Sequence, residues 1–298
     1  MNSDGNSCVS VIIPTLNDTL IAQVVDRVCA EVGESSEVIV VGRDDDRRIP
    51  RSSLVRFIET DHPVGASEAR NIGIDAAKGE WLLFVDSDCF VLPGWFERLT
   101  ARLSSGEMVV GGGVLSPTDD YWMLVYNISM FHEFLVGASA GCKAYLPTLN
   151  LGVRREVVDQ VGLMDARLPR GQDMDWTIRM ALSGYRLCFE PRAVVEHRPQ
   201  KSGLAAIWAT WLRGGFYSID NRLKYADYYG TPRLMSSAFL MAVLSPLIGI
   251  YTTVRMYMRR PDLLVHLSAI PLVYLTKIAW CIGAAQALRR KSKLLSES

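Results

Sequence analysis

The chain has 298 residues, with 32 Lys and Arg against 32 Asp and Glu. That balance excludes the basic footprint of a nucleic-acid-binding protein, so no nucleic-acid partner is expected. At 49% hydrophobic and 21% charged residues it is not a disordered chain either. Six cysteines (Cys8, Cys29, Cys89, Cys142, Cys188 and Cys281) form no C-x-x-C pair. They read as reduced thiols packed as small hydrophobes, with no disulfide framework or zinc site. The first ten residues carry neither a basic start nor an apolar run. No cleaved secretory signal is expected, and the chain is expected to begin in the cytosol.

The first segment, CVSVIIPT, is a β-branched run ended by Pro14 and reads as a buried strand. Between Thr19 and Val32, Leu20, Ile21, Val24, Val25 and Val28 recur at helical spacing, and Gly33 closes the pattern. EVIVVG and LVRFIE follow as strands, Gly65 to Ala77 as a helix stopped by Gly79, and EWLLFVD as a fourth strand. Strands alternating with helices of this length predict an α/β fold with a mostly parallel, Rossmann-like sheet covered on both faces. Such sheets bind ligands beyond the carboxyl ends of their strands. Three segments deliver polar residues there: Thr15 with Asn17, Gly42 to Asp46, and Asp86 with Asp88. On chemistry alone Asp86 and Asp88 are either an acidic turn or a grip on two parts of one ligand. Hard divalent cations such as Mn²⁺ or Mg²⁺ favour carboxylate and phosphate oxygens, which suits the second reading.

Further along, residues 121 to 137 form an aromatic-rich stretch. Leu204, Ile207, Trp208, Trp211 and Leu212 mark one apolar face of a helix that packs on the sheet or lies along a bilayer surface. Leu234 to Val254 holds no charged residue, and Leu263 to Leu288 holds only His266 and Lys277. A helix needs about 20 apolar residues to cross a hydrocarbon core of about 30 Å, so both stretches qualify as spanning or re-entrant helices. Pro246 and Pro271 predict kinks. The basic tail RRKSK fits a cytoplasmic end, whereas Arg255, Arg259 and Arg260 conflict with an external connecting loop.

With these residues in view, the chain closely resembles the family 2 glycosyltransferases of GT-A fold over about residues 8 to 200. Five segments recur in the family's order: VSVIIPTLN, PVGASEARNIGIDAAKGEWLLFVDSD, TLNLGVRREVVDQVG, RGQDMDWTIRMALSGYRL and VVEHR. The resemblance implies a GT-A catalytic domain at residues 1–200, an amphipathic linker at 201–230, and two hydrophobic helices with a basic tail at 231–298. It implies an inverting transfer from a nucleotide-diphosphate sugar to an acceptor hydroxyl on a glycan or lipid-linked acceptor. The enzyme would sit at the cell membrane, with its catalytic domain on the cytoplasmic side. Pro14, Thr15 and Asn17 would line the nucleotide pocket, Asp86 would face the ribose, and Arg70 would place the diphosphate. Asp88 and His197 would hold a divalent metal, Mn²⁺ or Mg²⁺, and Asp173 would be the general base.

Two positions depart from the family pattern. Gly42 stands where the family has an Asp that contacts the nucleobase, leaving Asp44 to take that contact from a shifted loop. Gln172 replaces the first acid of the usual Glu-Asp pair, which removes a like charge beside Asp173. Asp175, two positions from Asp173, faces another side of the helix and reads as a capping or solvated group. Two further readings compete. LLFVDSDCFV also resembles the opening motif of haloacid-dehalogenase-like phosphohydrolases, in which the first Asp is a nucleophile. The two departures also suit a non-catalytic GT-A-fold binding module at a membrane.

Overall fold

The computed structural model describes residues 8–33 and 35–297. The leading residues on which the secretory-signal reading rests lie outside them, apart from Cys8, Val9 and Ser10. The chain divides into two compact units.

The first unit comprises residues 8–115, 134–167 and 172–198 of the described chain. Its strands are β1 (Val9–Leu16), β2 (Ser36–Arg43), β3 (Val55–Glu59), β4 (Trp81–Val85), β5 (Cys89–Val91), β6 (Val109–Leu115), β7 (Gly141–Cys142), β8 (Asn150–Arg154) and β9 (Leu187–His197). They build one sheet in the order β3-β2-β1-β4-β8-β6-β9-β5, with β7 against β9. β4 reads as an unbroken apolar run, and β1 as one interrupted only by Ser10 and Thr15, because both strands are buried on both faces, as central strands of such a sheet must be. Helix α1 (Ile21–Glu31) turns Ile21, Val24, Val25 and Val28 inward. Helix α2 (Ala66–Ala76) lies so close to β1 that a Cβ on Gly73 would sit 2.5 Å from Ile12. Only glycine permits that approach.

The expected parallel arrangement covers β3-β2-β1-β4. Beyond β4 the sheet is mixed: β8 runs antiparallel to both β4 and β6, and β9 is parallel to β6 but antiparallel to β5. The reversal has a use. It sets Asn150 of β8 opposite Val85, beside the acidic turn, and His197 of β9 opposite Cys89, just after it. Helices α3 (Trp95–Ser104), α5 (Arg155–Val161) and α6 (Gln172–Leu182) complete the unit. Asn150 is a buried junction within it. Its amide donates to the carbonyls of Gly113 and Ala193 at 2.9 and 2.8 Å and accepts from the Trp95 indole at 2.8 Å.

The second unit takes residues 116–133, 168–171 and 199–297. It is helical: α4 (Tyr121–Phe131), α7 (Leu204–Lys224), α8 (Ala226–Tyr229), α9 (Ala238–Val243), α10 (Ser245–Arg259) and α11 (Ile270–Glu297), with 3₁₀ segments at Arg233–Ser236 and Pro261–Ala269. Residues 134–137 of the aromatic stretch belong to the first unit, while residues 121–131 form a helix of this one. Asp120 caps it, accepting the Trp122 and Met123 amides. Helix α11 packs against α7, α4, α9 and α10. It approaches α7 to backbone contact, since a Cβ on Gly283 would lie 1.9 Å from the Leu212 carbonyl and one on Gly215 1.9 Å from that of Trp280.

The two apolar stretches behave differently. Pro261–Leu294 is long and apolar enough to cross a membrane. Leu234–Val254 is divided between a 3₁₀ turn, α9 and the start of α10, with the chain breaking at Leu244 ahead of Pro246.

Candidate functional site

At the carboxyl edge of the parallel strands lies a cavity of about 320 Å³. Pro14, Thr15, Val64, Gly65, Arg70, Asp86 and Asp88 are among its lining. Asp86 and Asp88 leave β4 in a tight turn closed by the Cys89 amide on the Asp86 carbonyl at 3.0 Å. The two side chains diverge. Asp86 pairs with the buried guanidinium of Arg70, whereas Asp88 lies 3.5 Å from Nε2 of His197. A residue absent from the sequence expectations anchors the turn. Asp18 accepts the Ser87 hydroxyl at 2.9 Å and the Leu20 amide at 2.8 Å, fastening the acidic turn to the start of α1. An Asp just before a helical pattern is a start signal, and that was its legible trace.

Two polar groups on this edge are buried without hydrogen bonds, Thr15 Oγ1 and Arg70 Nε. Buried polar groups are nearly always satisfied, so this edge offers an acceptor and a donor to a ligand. Asp88, the Cys89 thiol and His197 place one donor atom each within 4.8 Å of one another. Burial works against the charge on Asp88, but the His197 ring, by charge and hydrogen bond, helps to bring its carboxyl below the usual range. Burial drives the Cys89 thiol well above its usual value, and Asp88 and Asp86 add to this. The donors available to a divalent cation are therefore the hard Asp88 carboxylate and the borderline His197 imidazole, a set that fits Mn²⁺ and, through the carboxylate, Mg²⁺.

Asp173 sits in the first turn of α6. Although the residue is only half-buried, desolvation of its carboxyl raises it above the ordinary value. The Met174 amide and Arg70 oppose the shift, and Asp86 adds to it. The electrostatic reach of Arg70 and Asp86 ties Asp173 to the edge that carries the cavity. Asp175 differs from the solvated group the sequence suggested. It is buried and pairs with Arg179 at 2.9 Å, while Arg179 also donates to the Val161 and Leu163 carbonyls. Asn71 exchanges two hydrogen bonds with the Met164 backbone, at 2.9 and 3.1 Å. The loop ahead of α6 is thereby clamped from both α2 and α6.

The remaining sequence candidates lie off the cavity lining. Asn17, at φ 55°, binds Asp45 through its side-chain amide at 2.7 Å and accepts the Asp45 amide at 2.8 Å. Asp44 accepts the amides of Arg48 and Ile49 at 3.0 and 2.8 Å, so both its oxygens shape the loop after β2. Gly42 has φ 134°, and a Cβ there would lie 1.9 Å from the Thr15 carbonyl. This backbone leaves no room for the carboxylate that the resemblance expects at that position.

The chain has counterparts in sequence and fold among known proteins. Over 208 residues the chain is 32% identical to glycosyltransferase AglE of Haloferax volcanii, covering 65% of this chain and 68% of that protein. It is 27% identical over 198 residues to the succinoglycan biosynthesis protein ExoM of Rhizobium meliloti, covering 61% and 62%. Pyrobaculum calidifontis mannosyltransferase PcManGT, solved with GDP-Man and Mn²⁺, superposes with a TM-score of 0.61 at 16% identity. That match covers 96% of this chain and 88% of the other and shows a shared fold. The profile of Glycosyl transferase family 2 matches residues 10–161, from β1 through the acidic turn to the end of α5. With half the chain matched and the acidic turn at the ligand edge of its sheet, this protein belongs to glycosyl transferase family 2.

Proposed function

We propose that this protein transfers a sugar, with inversion, from a nucleotide-diphosphate sugar to the hydroxyl of a lipid-linked or cell-envelope glycan. It would work at the cytoplasmic face of the cell membrane, held there by its C-terminal apolar residues. The observation that carries the reading is the grouping of Asp86 with Arg70, Asp88 with His197, and Asp173 at one sheet edge.

In this reading Pro14 and Thr15 flank the nucleoside, and the unpaired Thr15 hydroxyl offers it a hydrogen bond. Asp86 receives the ribose hydroxyls, and Arg70, already oriented by Asp86, turns its free Nε toward the diphosphate. Asp88 and His197 would hold the divalent cation, which supplies positive charge to the departing diphosphate when bound. Asp173 takes the proton from the acceptor hydroxyl as that oxygen bonds to the anomeric carbon and the sugar–phosphate bond breaks. Desolvation of its carboxyl makes it a stronger base than an exposed Asp, so the missing acid at Gln172 is not needed to raise it. Asn17 and Asp44 contribute by holding the loops after β1 and β2 in shape.

A phosphohydrolase would present Asp86 as a nucleophile on the first strand of its sheet. Here it follows the fourth, and Arg70 engages it. The test is to incubate the detergent-purified protein with a panel of nucleotide sugars and Mn²⁺ or Mg²⁺ and to follow nucleoside diphosphate release. Metal-dependent release with at least one donor is expected, abolished by Asp88→Ala and strongly reduced by Asp173→Asn. Release indifferent to both substitutions would overturn the proposal. Inorganic phosphate released from simple phosphoesters and lost in Asp86→Asn would identify a phosphohydrolase.

A further inference from the structure

The second unit carries a helix that is inside out by the standards of a water-soluble protein. Helix α10 buries small or hydroxylated residues, Ser245, Gly249 and Thr253, together with Met256 and Tyr257. Its outward face presents Leu247, Ile250, Tyr251, Val254 and Met258, each between 52% and 77% exposed. These positions recur at i, i+3, i+4, i+7 and i+11, one continuous stripe along the helix. Phe239 and Val243 on α9 extend the exposed apolar surface at one end, and Val265 and Leu267 do so beyond the other. Small residues inside and large apolar ones outside are how helices pack when their surroundings are lipid. A contiguous apolar surface of this size marks an interaction site.

The charges around the stripe identify the occupant. Pro232 to Leu294 contains nine Lys and Arg and a single acid, Asp262, which pairs with Arg260 at 2.6 Å. Arg255 and Arg259 are exposed on α10 itself, and Arg233 is exposed on the 3₁₀ segment ahead of α9. A cationic margin around an apolar face complements an anionic lipid surface.

The packing also decides how the unit meets that surface. α10 is 15 residues long, about 22 Å at 1.5 Å per residue, which is short of a hydrocarbon core of about 30 Å. α11 is long enough to span, yet it is held between α9 and α10 on one hand and α7 on the other, with backbone contact to α7. α7 exposes Arg213 midway along its length, where Gly215 lies against Trp280 and Ala284 of α11. A spanning α11 would carry the Arg213 charge into the bilayer beside it, at high cost.

We propose that the C-terminal unit is monotopic: α9 and α10 lie in the plane of an anionic leaflet, their apolar stripe sunk among the acyl chains. α11 serves as the buried spine of the unit and not as a membrane span, and α7 faces water. This rests on the membrane location proposed above and adds the mode of attachment.

The test combines flotation with topology. The full-length protein, diluted from detergent, is floated with vesicles of phosphatidylcholine with phosphatidylglycerol or of phosphatidylcholine alone. It should float with both and more strongly with the anionic vesicles. Leu247→Asp combined with Val254→Asp and Met258→Asp should lower the partition coefficient by at least about tenfold while far-UV circular dichroism and diphosphate release in detergent are unchanged. In membranes of intact expressing cells, a membrane-impermeant maleimide read out by peptide mass should reach Ser268→Cys and Ser292→Cys from the same side. Labelling of those two positions from opposite sides would establish a spanning α11 and overturn the proposal. Wild-type flotation by the triple variant would also overturn it, and with loss of a detergent-stable dimer it would assign the stripe to a second copy of the chain. Failure of the wild-type protein to float with either vesicle would remove the membrane location too, leaving the glycosyl transfer reading to stand on diphosphate release.

Discussion

Asp173 joins catalysis and stability in one group. Its carboxyl is raised by desolvation in the folded chain, so the native state binds a proton more tightly there than the unfolded chain does. The stability it contributes is fully present below the unfolded carboxyl value and is lost as pH rises through the raised folded value. At neutral pH Asp173→Asn should therefore unfold at a higher temperature than the wild type, with the advantage absent near pH 3, as thermal melts at the two values would record. The same substitution should lower kcat/KM by about 10² to 10⁴, the usual contribution of a general base. In the wild-type protein the acid limb of kcat/KM should fall above the ordinary Asp range, because the base acts only when deprotonated. His197→Ala removes the imidazole beside Asp88, and the Mn²⁺ concentration giving half-maximal diphosphate release should rise about tenfold or more. Residue identities alone leave the roles of some polar loop residues open. Asp44 and Asn17 have side chains suited to a ligand, but their hydrogen bonds go to neighbouring loop backbone and to Asp45. A sequence does not distinguish a carboxylate that grips a ligand from one that caps its own turn, since both call for Asp in a loop.

At the scale of elements, two junctions hold the units in shape. Asn150→Leu would orphan the Trp95 indole and the carbonyls of Gly113 and Ala193, all buried, at a cost of about 3 kcal/mol or more, visible as a lower denaturant midpoint. Gly283→Ala must push α11 away from the Leu212 carbonyl, and about 1 to 3 kcal/mol of destabilisation is expected in the melting of the helical unit. The strands and helices of the first ninety residues were legible because each carries its own periodicity or an unbroken apolar run. β1, β2, β3, β4, α1 and α2 fall within a few residues of expectation. β6 was not legible. Its three consecutive glycines carry no strand signal, yet Gly111, Gly112 and Gly113 each stand where a Cβ would meet Leu146, Asn150 or Pro191 within 2.5 Å. Glycine has little strand propensity, so only the neighbours pressing on that strand explain it. The antiparallel β8 was equally hidden, because strand direction follows from long-range pairing and not from local pattern. The acidic turn, by contrast, was legible as a strand-end feature before any pairing was known.

At the scale of the molecule, the units are interleaved along the chain: residues 116–133 leave the catalytic unit to join the helical one and return. A fragment ending at residue 198 would keep α4 but lose its partners α7 and α11, baring Leu124, Val125 and Ile128. Such a fragment should aggregate on size-exclusion chromatography, whereas the full-length protein in detergent should elute as a discrete species. The interleaving also sets a timetable for synthesis. The hydrogen bond from Thr276 to Ser129 joins residues 147 positions apart. At about 5 to 20 residues per second, α4 must wait roughly 7 to 30 s on the ribosome before its partner in α11 exists. During that interval its apolar face is a natural client for a chaperone, and slowing translation after residue 131 should lower the yield of folded protein.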